Sequence, residues 1–250
     1  MTYCVAALVE EGIVFASDSR TSAGPDNVAV FGKMHVFEVP GERVIVILTS
    51  GNLATSQSVM AQLRMRARDA AGQPVAEQIL GVSRMYEAAQ LVGDTLGEVR
   101  KRADPGQQSG IDFGCNFIVG GQIGGRRPRL FRVYPEGNFI EATADTSFFQ
   151  IGEHKYGKPI IDRVVRHDTP LRDVAKAFLL SFDSTMRSNL TVGLPIDLLA
   201  YERDAGRVTL RRRIGDDDAY FSRLSGIWSA GLRAVFREVP DLDWDDGRTG

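Results

Sequence analysis

Residues 2–21 read TYCVAALVEEGIVFASDSRT, from Thr2 to Thr21. Two runs in this stretch, Tyr3 to Val9 and Ile13 to Ser17, are apolar at both parities: Val5, Leu8, Ile13 and Phe15 alternate with Ala6, Ala7, Val14 and Ala16. A strand whose successive residues are all apolar has both faces covered, so these runs predict the interior of a layered structure rather than a surface ribbon. Between them, Glu10-Glu11-Gly12 reads as a three-residue hairpin loop with Gly12 in the left-handed conformation. In that register residue i pairs with residue 22 − i, and Thr2, Cys4, Asp18 and Arg20 share one face at the open end of the hairpin.

Strand runs continue outward at Met34 to Val39 and Arg43 to Thr49. Leu53 to Asp69 and Glu77 to Arg102 then place apolar residues near 3.6-residue spacing without an internal proline, which predicts two helices. A Gly/Pro/Gln loop from Asp104 to Gly110 is followed by strand runs at Phe113 to Gln122, Arg129 to Val133 and Phe148 to Ile151. The segment Lys158 to Met186 reads as two helices split by His167 to Pro170. Ile196 to Arg203 and Arg207 to Arg213 flank the turn Asp204-Ala205-Gly206, and Tyr220 to Phe236 forms a last helix. This order predicts an α+β fold of two stacked sheets with helices outside them, in four layers. Residues 1–236 are expected to form one domain, and residues 237–250, with Asp241, Asp243, Asp245 and Asp246 around Trp244, an acidic tail.

Composition narrows the function. The 250 residues are 43% hydrophobic and 25% charged, enough for one sizeable core, and 30 Lys and Arg against 32 Asp and Glu leave a formal charge of −2. No global basic field collects nucleic acid or an anionic membrane, so neither is an expected partner. No apolar stretch approaches the roughly 20 residues that cross a bilayer. The two cysteines, Cys4 and Cys115, sit in apolar strand runs and no signal-like segment opens the chain, so the expected location is the cytoplasm. His35, His154 and His167 lie far apart without ligand spacing, and Gly120 to Gly125 lacks the strand-to-helix context of a dinucleotide or phosphate loop, so no metal and no cofactor is expected.

What remains is Met1-Thr2. A threonine hydroxyl needs a base beside it to act as a nucleophile, and an N-terminal Thr carries its own: an α-amine with an ordinary pKa of about 7.7 to 8.0. Removal of Met1 would expose it. The hairpin delivers Ser17-Asp18-Ser19-Arg20-Thr21 beside Thr2, and Lys33, opening the next strand run, can return its ammonium to Asp18. The plainer reading of Asp18 and Lys33 is a strand-end salt bridge.

With these residues in view, the sequence resembles the proteasome β-type family of N-terminal nucleophile hydrolases, and within it the bacterial branch called Anbu, the ancestral β subunit. The resemblance is carried by Thr2 to Ala6, Val14 to Thr21, Lys33, the Thr49-Ser50-Gly51-Asn52 turn, Gly152 with Gly157, and Asp183 to Leu190. It implies a four-layer αββα sandwich, Thr2 as nucleophile, Asp18 and Lys33 as the charged pair beside it, and self-assembly into a ring or helical homo-oligomer. It further implies an oxyanion N–H from the Ser50-Gly51 turn and a substrate cleft beginning at Thr21. Many proteasome β subunits carry a Ser after the glycine that matches Gly152, and an Asp that orients a second Ser. Glu153, and Ser188 with Thr191, stand in those places here, and Ser188 and Asn189 offer neutral hydrogen bonds. Glu153 is expected to hold a water or to pair with His154 or Lys155.

The resulting expectation is a Thr-dependent amidohydrolase that acts on peptides, with an unfolding ATPase or other partner enzyme left open. Two alternatives stay beside it: a non-catalytic subunit of a ring assembly, and a hydrolase of a small non-protein amide.

Overall fold

The structure, a computed structural model, describes residues 2–22, 28–68, 74–103 and 110–242. In chain order its elements are β1 (Tyr3–Val9), β2 (Gly12–Asp18), β3 (Arg20–Ser22), β4 (Val28–Val30), β5 (Met34–Val39), β6 (Arg43–Gly51), α1 (Leu53–Arg64), β7 (Arg66–Arg68), β8 (Pro74–Glu77), α2 (Met85–Ala103), β9 (Cys115–Ile123), β10 (Arg129–Val133), β11 (Phe139–Glu141), β12 (Phe148–Gly152), α3 (Lys158–Val164), α4 (Leu171–Ser188), β13 (Ile196–Glu202), β14 (Leu210–Ile214) and α5 (Ala219–Glu238). Two five-stranded antiparallel sheets dominate, ordered β12-β1-β2-β13-β14 and β11-β10-β9-β6-β5.

β1 and β2, which carry the two apolar runs, occupy the interior of the first sheet and are buried along their whole length. One face of this pair packs on the second sheet: Cys4, Ala6, Leu8, Ile13 and Phe15 share a core with Val44, Val46, Leu48, Ile118 and Leu130. Gly120 lets the sheets meet there, because a Cβ on it would come within 2.9 Å of the Phe15 ring. The far face of the second sheet, with Ile45, Ile47, Phe117, Val119 and Phe131, packs against Val59, Met60 and Leu63 of α1 and Ala89, Val92 and Leu96 of α2. α4 reaches the first sheet at Tyr3, whose hydroxyl lies 2.6 Å from Ser181 Oγ and whose ring lies 4.5 Å from that of Phe182. Each large apolar side chain fully buried this way contributes about 1.5–3 kcal/mol.

The hairpin register differs from the expected one. Pairing runs from Cys4↔Ser17 to Val9↔Gly12, so residue i faces residue 21 − i and the turn is only Glu10-Glu11. Gly12, at φ 149°, already belongs to β2 and also pairs with Glu202 of β13; a Cβ there would lie 2.0 Å from the Tyr201 carbonyl oxygen. The glycine therefore serves the close approach of a third strand, and the loop is one residue shorter. A one-residue slip exchanges the faces, so Asp18 comes level with Tyr3 instead of sharing a face with Thr2 and Cys4.

Other elements also shift. The expected helix Leu53 to Asp69 stops at Arg64, and Arg66–Arg68 is a strand; residue 69 lies outside the described residues. The expected helix from Glu77 is a 3₁₀ turn, Gln78–Leu80, followed by a break before α2 starts at Met85. Most of the expected 104–110 loop, residues 104–109, lies outside the described residues, as do residues 243–250 of the expected acidic tail, whose first two positions, Arg237 and Glu238, end α5. The chain divides into two compact units, Met1–Asp216 and Asp217–Gly250. In the second, Asp218 caps α5 by accepting from the Phe221 N–H at 2.9 Å. Among the described residues no helix is long and apolar enough to cross a membrane.

Candidate active site

The site forms where β1 begins and β2 ends. Asp18 is fully buried, and its Oδ1 accepts from Lys33 Nζ at 2.8 Å and from the Tyr3 backbone N–H at 2.9 Å. Tyr3 follows Thr2 directly, so the carboxylate is tied to the backbone next to the expected nucleophile. Lys33, just before β5 and 4% exposed, also donates to the Arg20 carbonyl at 2.5 Å. Burial pushes the Asp18 carboxyl up from its ordinary range, and the Lys33 ammonium pulls it back. Burial raises the Cys4 thiol and the Tyr3 phenol as well, which keeps both neutral. Ser17 Oγ and Asp18 Oδ2 are buried without a hydrogen-bond partner among the described residues.

Cys4 Sγ donates to the Thr49 carbonyl at 3.5 Å, which sets the end of β6 against the start of β1. Ser50 is buried there, and Gly51 sits at φ 112°, where a Cβ would lie 2.4 Å from the Gly114 carbonyl oxygen. Asn52 then opens α1, its Oδ1 accepting from the Thr55 N–H at 3.1 Å. Thr21 is the middle residue of β3, opposite Ala29.

Gly152, the last residue of β12, and Glu153 after it meet the chain at Thr2 and Tyr3. Tyr3 pairs with Gly152, and the Glu153 N–H donates to the Thr2 carbonyl at 2.7 Å. Gly152 stands at φ 80°, and a Cβ on it would lie 1.9 Å from the Thr2 carbonyl oxygen, so only glycine lets the strands close here. Glu153 is buried and its Oε2 accepts from Asn189 Nδ2 at 3.1 Å, while Asn189 Oδ1 accepts from the Thr191 N–H and Oγ1 at 3.0 and 2.6 Å. Glu153 thus pairs with Asn189; His154 Nδ1 instead lies 3.1 Å from the Gly152 carbonyl oxygen, and Lys155 is exposed. Ser188, the last residue of α4, is exposed and stands outside these contacts.

Two participants escaped the sequence reading: the Tyr3 N–H and the Arg20 carbonyl. Both are backbone groups, for which side-chain identity carries no signal. The Arg20 side chain, expected near the site, donates to the Leu190 carbonyl at 3.1 Å and leaves no room for a Cβ on Gly193.

No protein-family model and no curated protein matches the chain. Solved structures do. The Anbu protein of Yersinia bercovieri is 49% identical, with 97% of this chain and 100% of that one covered and a TM-score of 0.88. The chain belongs to the Anbu family. A second Anbu structure, from Hyphomicrobium sp. strain MC1, is 51% identical over 97% of this chain and 100% of that one, with a TM-score of 0.87. The Anbu complex of Pseudomonas aeruginosa, solved as a helical assembly, is 48% identical over 97% and 99%, with a TM-score of 0.89. Anbu proteins belong to the proteasome-like N-terminal nucleophile hydrolase superfamily, and the likeness extends over 97% of this chain.

Proposed function

We propose that this Anbu chain is an N-terminal-threonine amidohydrolase with peptides as its substrate class, working as a homo-oligomer. The observation that carries the reading is Asp18 Oδ1 held at once by Lys33 Nζ and by the amide one residue after Thr2. This places a buried ion pair, anchored to the backbone, beside a Thr whose own α-amine would be the base. Hydrolysis of the Met1–Thr2 bond frees the α-amine. The Thr2 Oγ attacks the amide carbonyl while its proton passes through a water to that amine, and the Lys33 charge keeps the amine's pKa low enough for it to be unprotonated at neutral pH. Backbone N–H groups at Ser50-Gly51 serve the oxyanion. The C–N bond breaks as the leaving amine takes the proton, and a water then releases the acyl group from Thr2.

The fold is consistent with this role: helices pack on the outer faces of two sheets that face each other, which supports the αββα order. The helical assembly of the Pseudomonas aeruginosa relative supports self-association. A non-catalytic assembly subunit would share that association, so the discriminating experiment is the N-terminus. Intact mass of protein made in its native host should correspond to a chain starting at Thr2, and an electrophilic peptide analogue should add one equivalent to that residue. A retained Met1 favours the structural subunit.

A further inference from the structure

Glu153 is a buried carboxylate that this chemistry leaves without a task. It is 6% exposed, and its N–H to the Thr2 carbonyl makes the two residues cross-strand neighbours at the end of the β1–β12 ladder. Asn189 holds Oε2, and Thr191 holds Asn189 through both its N–H and its hydroxyl, so the carboxylate is oriented rather than free to swing. Its second oxygen, Oε1, is buried with no hydrogen-bond partner among the described residues. Leaving such an oxygen unmatched costs free energy that an available donor would recover.

The charges around it suggest the donor. Asp18 on β2 is balanced by Lys33 from the segment before β5. The guanidinium of Arg20 is spent on the Leu190 carbonyl, and Arg187 on α4 pairs with Asp183. His154 is turned to the Gly152 carbonyl, while Cys4 and Tyr3 of β1 stay neutral. Before maturation, Glu153 has no cation of its own in this set. Hydrolysis of the Met1–Thr2 bond creates one across the strand, converting an amide with a single N–H into an ammonium with three. We propose that Glu153 Oε1 accepts a hydrogen bond from the Thr2 α-ammonium of the mature chain, making Glu153, braced by Asn189 and Thr191, a positioning residue for the base. The inference rests on the reading of Thr2 as the nucleophile. It gives the amine two opposed neighbours: Lys33, which favours its neutral form, and Glu153, which favours the ammonium and fixes its direction.

The amine itself is the readout. The chain is produced from a fusion whose cleavage leaves Thr2 first, and the pH dependence of Thr2 α-amine acetylation is followed by mass of the N-terminal peptide. Removing the carboxylate in Glu153→Gln should lower the midpoint by about one pH unit. Glu153→Asp, which keeps the charge but withdraws it by one methylene, should fall between, and decides the matter if Glu153→Gln does not fold. The acid limb of Thr2 labelling by an electrophilic peptide should move to lower pH in the same order. Midpoints equal to wild type in the folded variants, or higher, overturn the proposal. Because acetylation needs no turnover, that failure is distinct from failure of the nucleophile reading, which intact mass and electrophile labelling test.

Discussion

Asp18 Oδ1 sits where a lysine ammonium and a backbone amide meet, and that position predicts what each side chain's loss would do. Taking away Lys33 strands a fully buried carboxylate, a change that costs about 3–5 kcal/mol when one partner of a buried pair is removed, unless the group takes up a proton. Lys33→Ala should therefore lower the thermal midpoint and slow Thr2 labelling by at least about 10²-fold, while the chain stays assembled because the pair lies at a strand end. Lys33→Arg should not rescue labelling: Nζ fits between Asp18 and the Arg20 carbonyl at 2.8 and 2.5 Å, a space for a compact ammonium and not for a planar fork. Thr2→Ala should abolish labelling and turnover, and the double variant should be no worse, since residues that act as one unit do not add. Full activity in Thr2→Ala on any substrate would sink the mechanism. At this scale the sequence was informative where side chains do the work. Thr2, Asp18, Lys33, Glu153 and Asn189 could all be named from it, but the carbonyl and amide that complete the contacts could not.

At the scale of elements, the strands with two apolar faces were readable because burial on both sides leaves a pattern no loop imitates. Gly12 shows the limit. Its position after Glu10-Glu11 looks like a turn residue, yet its need for a bare Cα comes from Tyr201, 189 positions later in the chain, which local pattern does not encode. Asp18 still reached the start of β1 after the register changed by one, because a carboxylate at a strand end can bond the neighbouring backbone from either parity. β11 is only three residues long, too short to leave a periodic signal. The contact between β5 and α1 carries a pH-dependent prediction. Arg64 Nη2 lies 3.0 Å from His35 Nδ1, and burial, followed by the Arg64 charge, lowers the imidazole from 6.5 to about 4. Between those values the unfolded chain binds more protons than the folded one, so stability falls as pH drops from above 6.5 through about 4. Urea midpoints measured from pH 7.5 to 4.5 should decline, and His35→Gln should flatten the decline; an unchanged slope would remove His35 as its source.

At the scale of the whole molecule, the formal charge of −2 offers little repulsion between copies, so association is decided by apolar surface. α5 supplies such surface: Ile227, Leu232, Val235 and Phe236 are 62, 53, 60 and 79% exposed. Leu232, Val235 and Phe236 stand at i, i+3 and i+4, which places them on one side of the helix. Side chains of this size scattered singly over a surface need no explanation, but three adjacent ones on one helix form a stripe whose burial releases roughly 25 cal/mol for each Å² covered. A second copy of the same chain is the occupant expected here, and light scattering at micromolar concentration should report a mass several times 27.4 kDa. Leu232→Asp with Phe236→Asp places two charges in the stripe and should shift the population to smaller species, with α5 itself kept because both positions face outward. If the mass stays unchanged, assembly runs through the helices over the sheets instead, and charge substitutions at the exposed Tyr86 of α2 or Val164 of α3 become the decisive variants. A monomer in the wild-type chain would contradict the assembly reading at either surface, while leaving the Thr2, Asp18 and Lys33 chemistry to be judged by labelling alone.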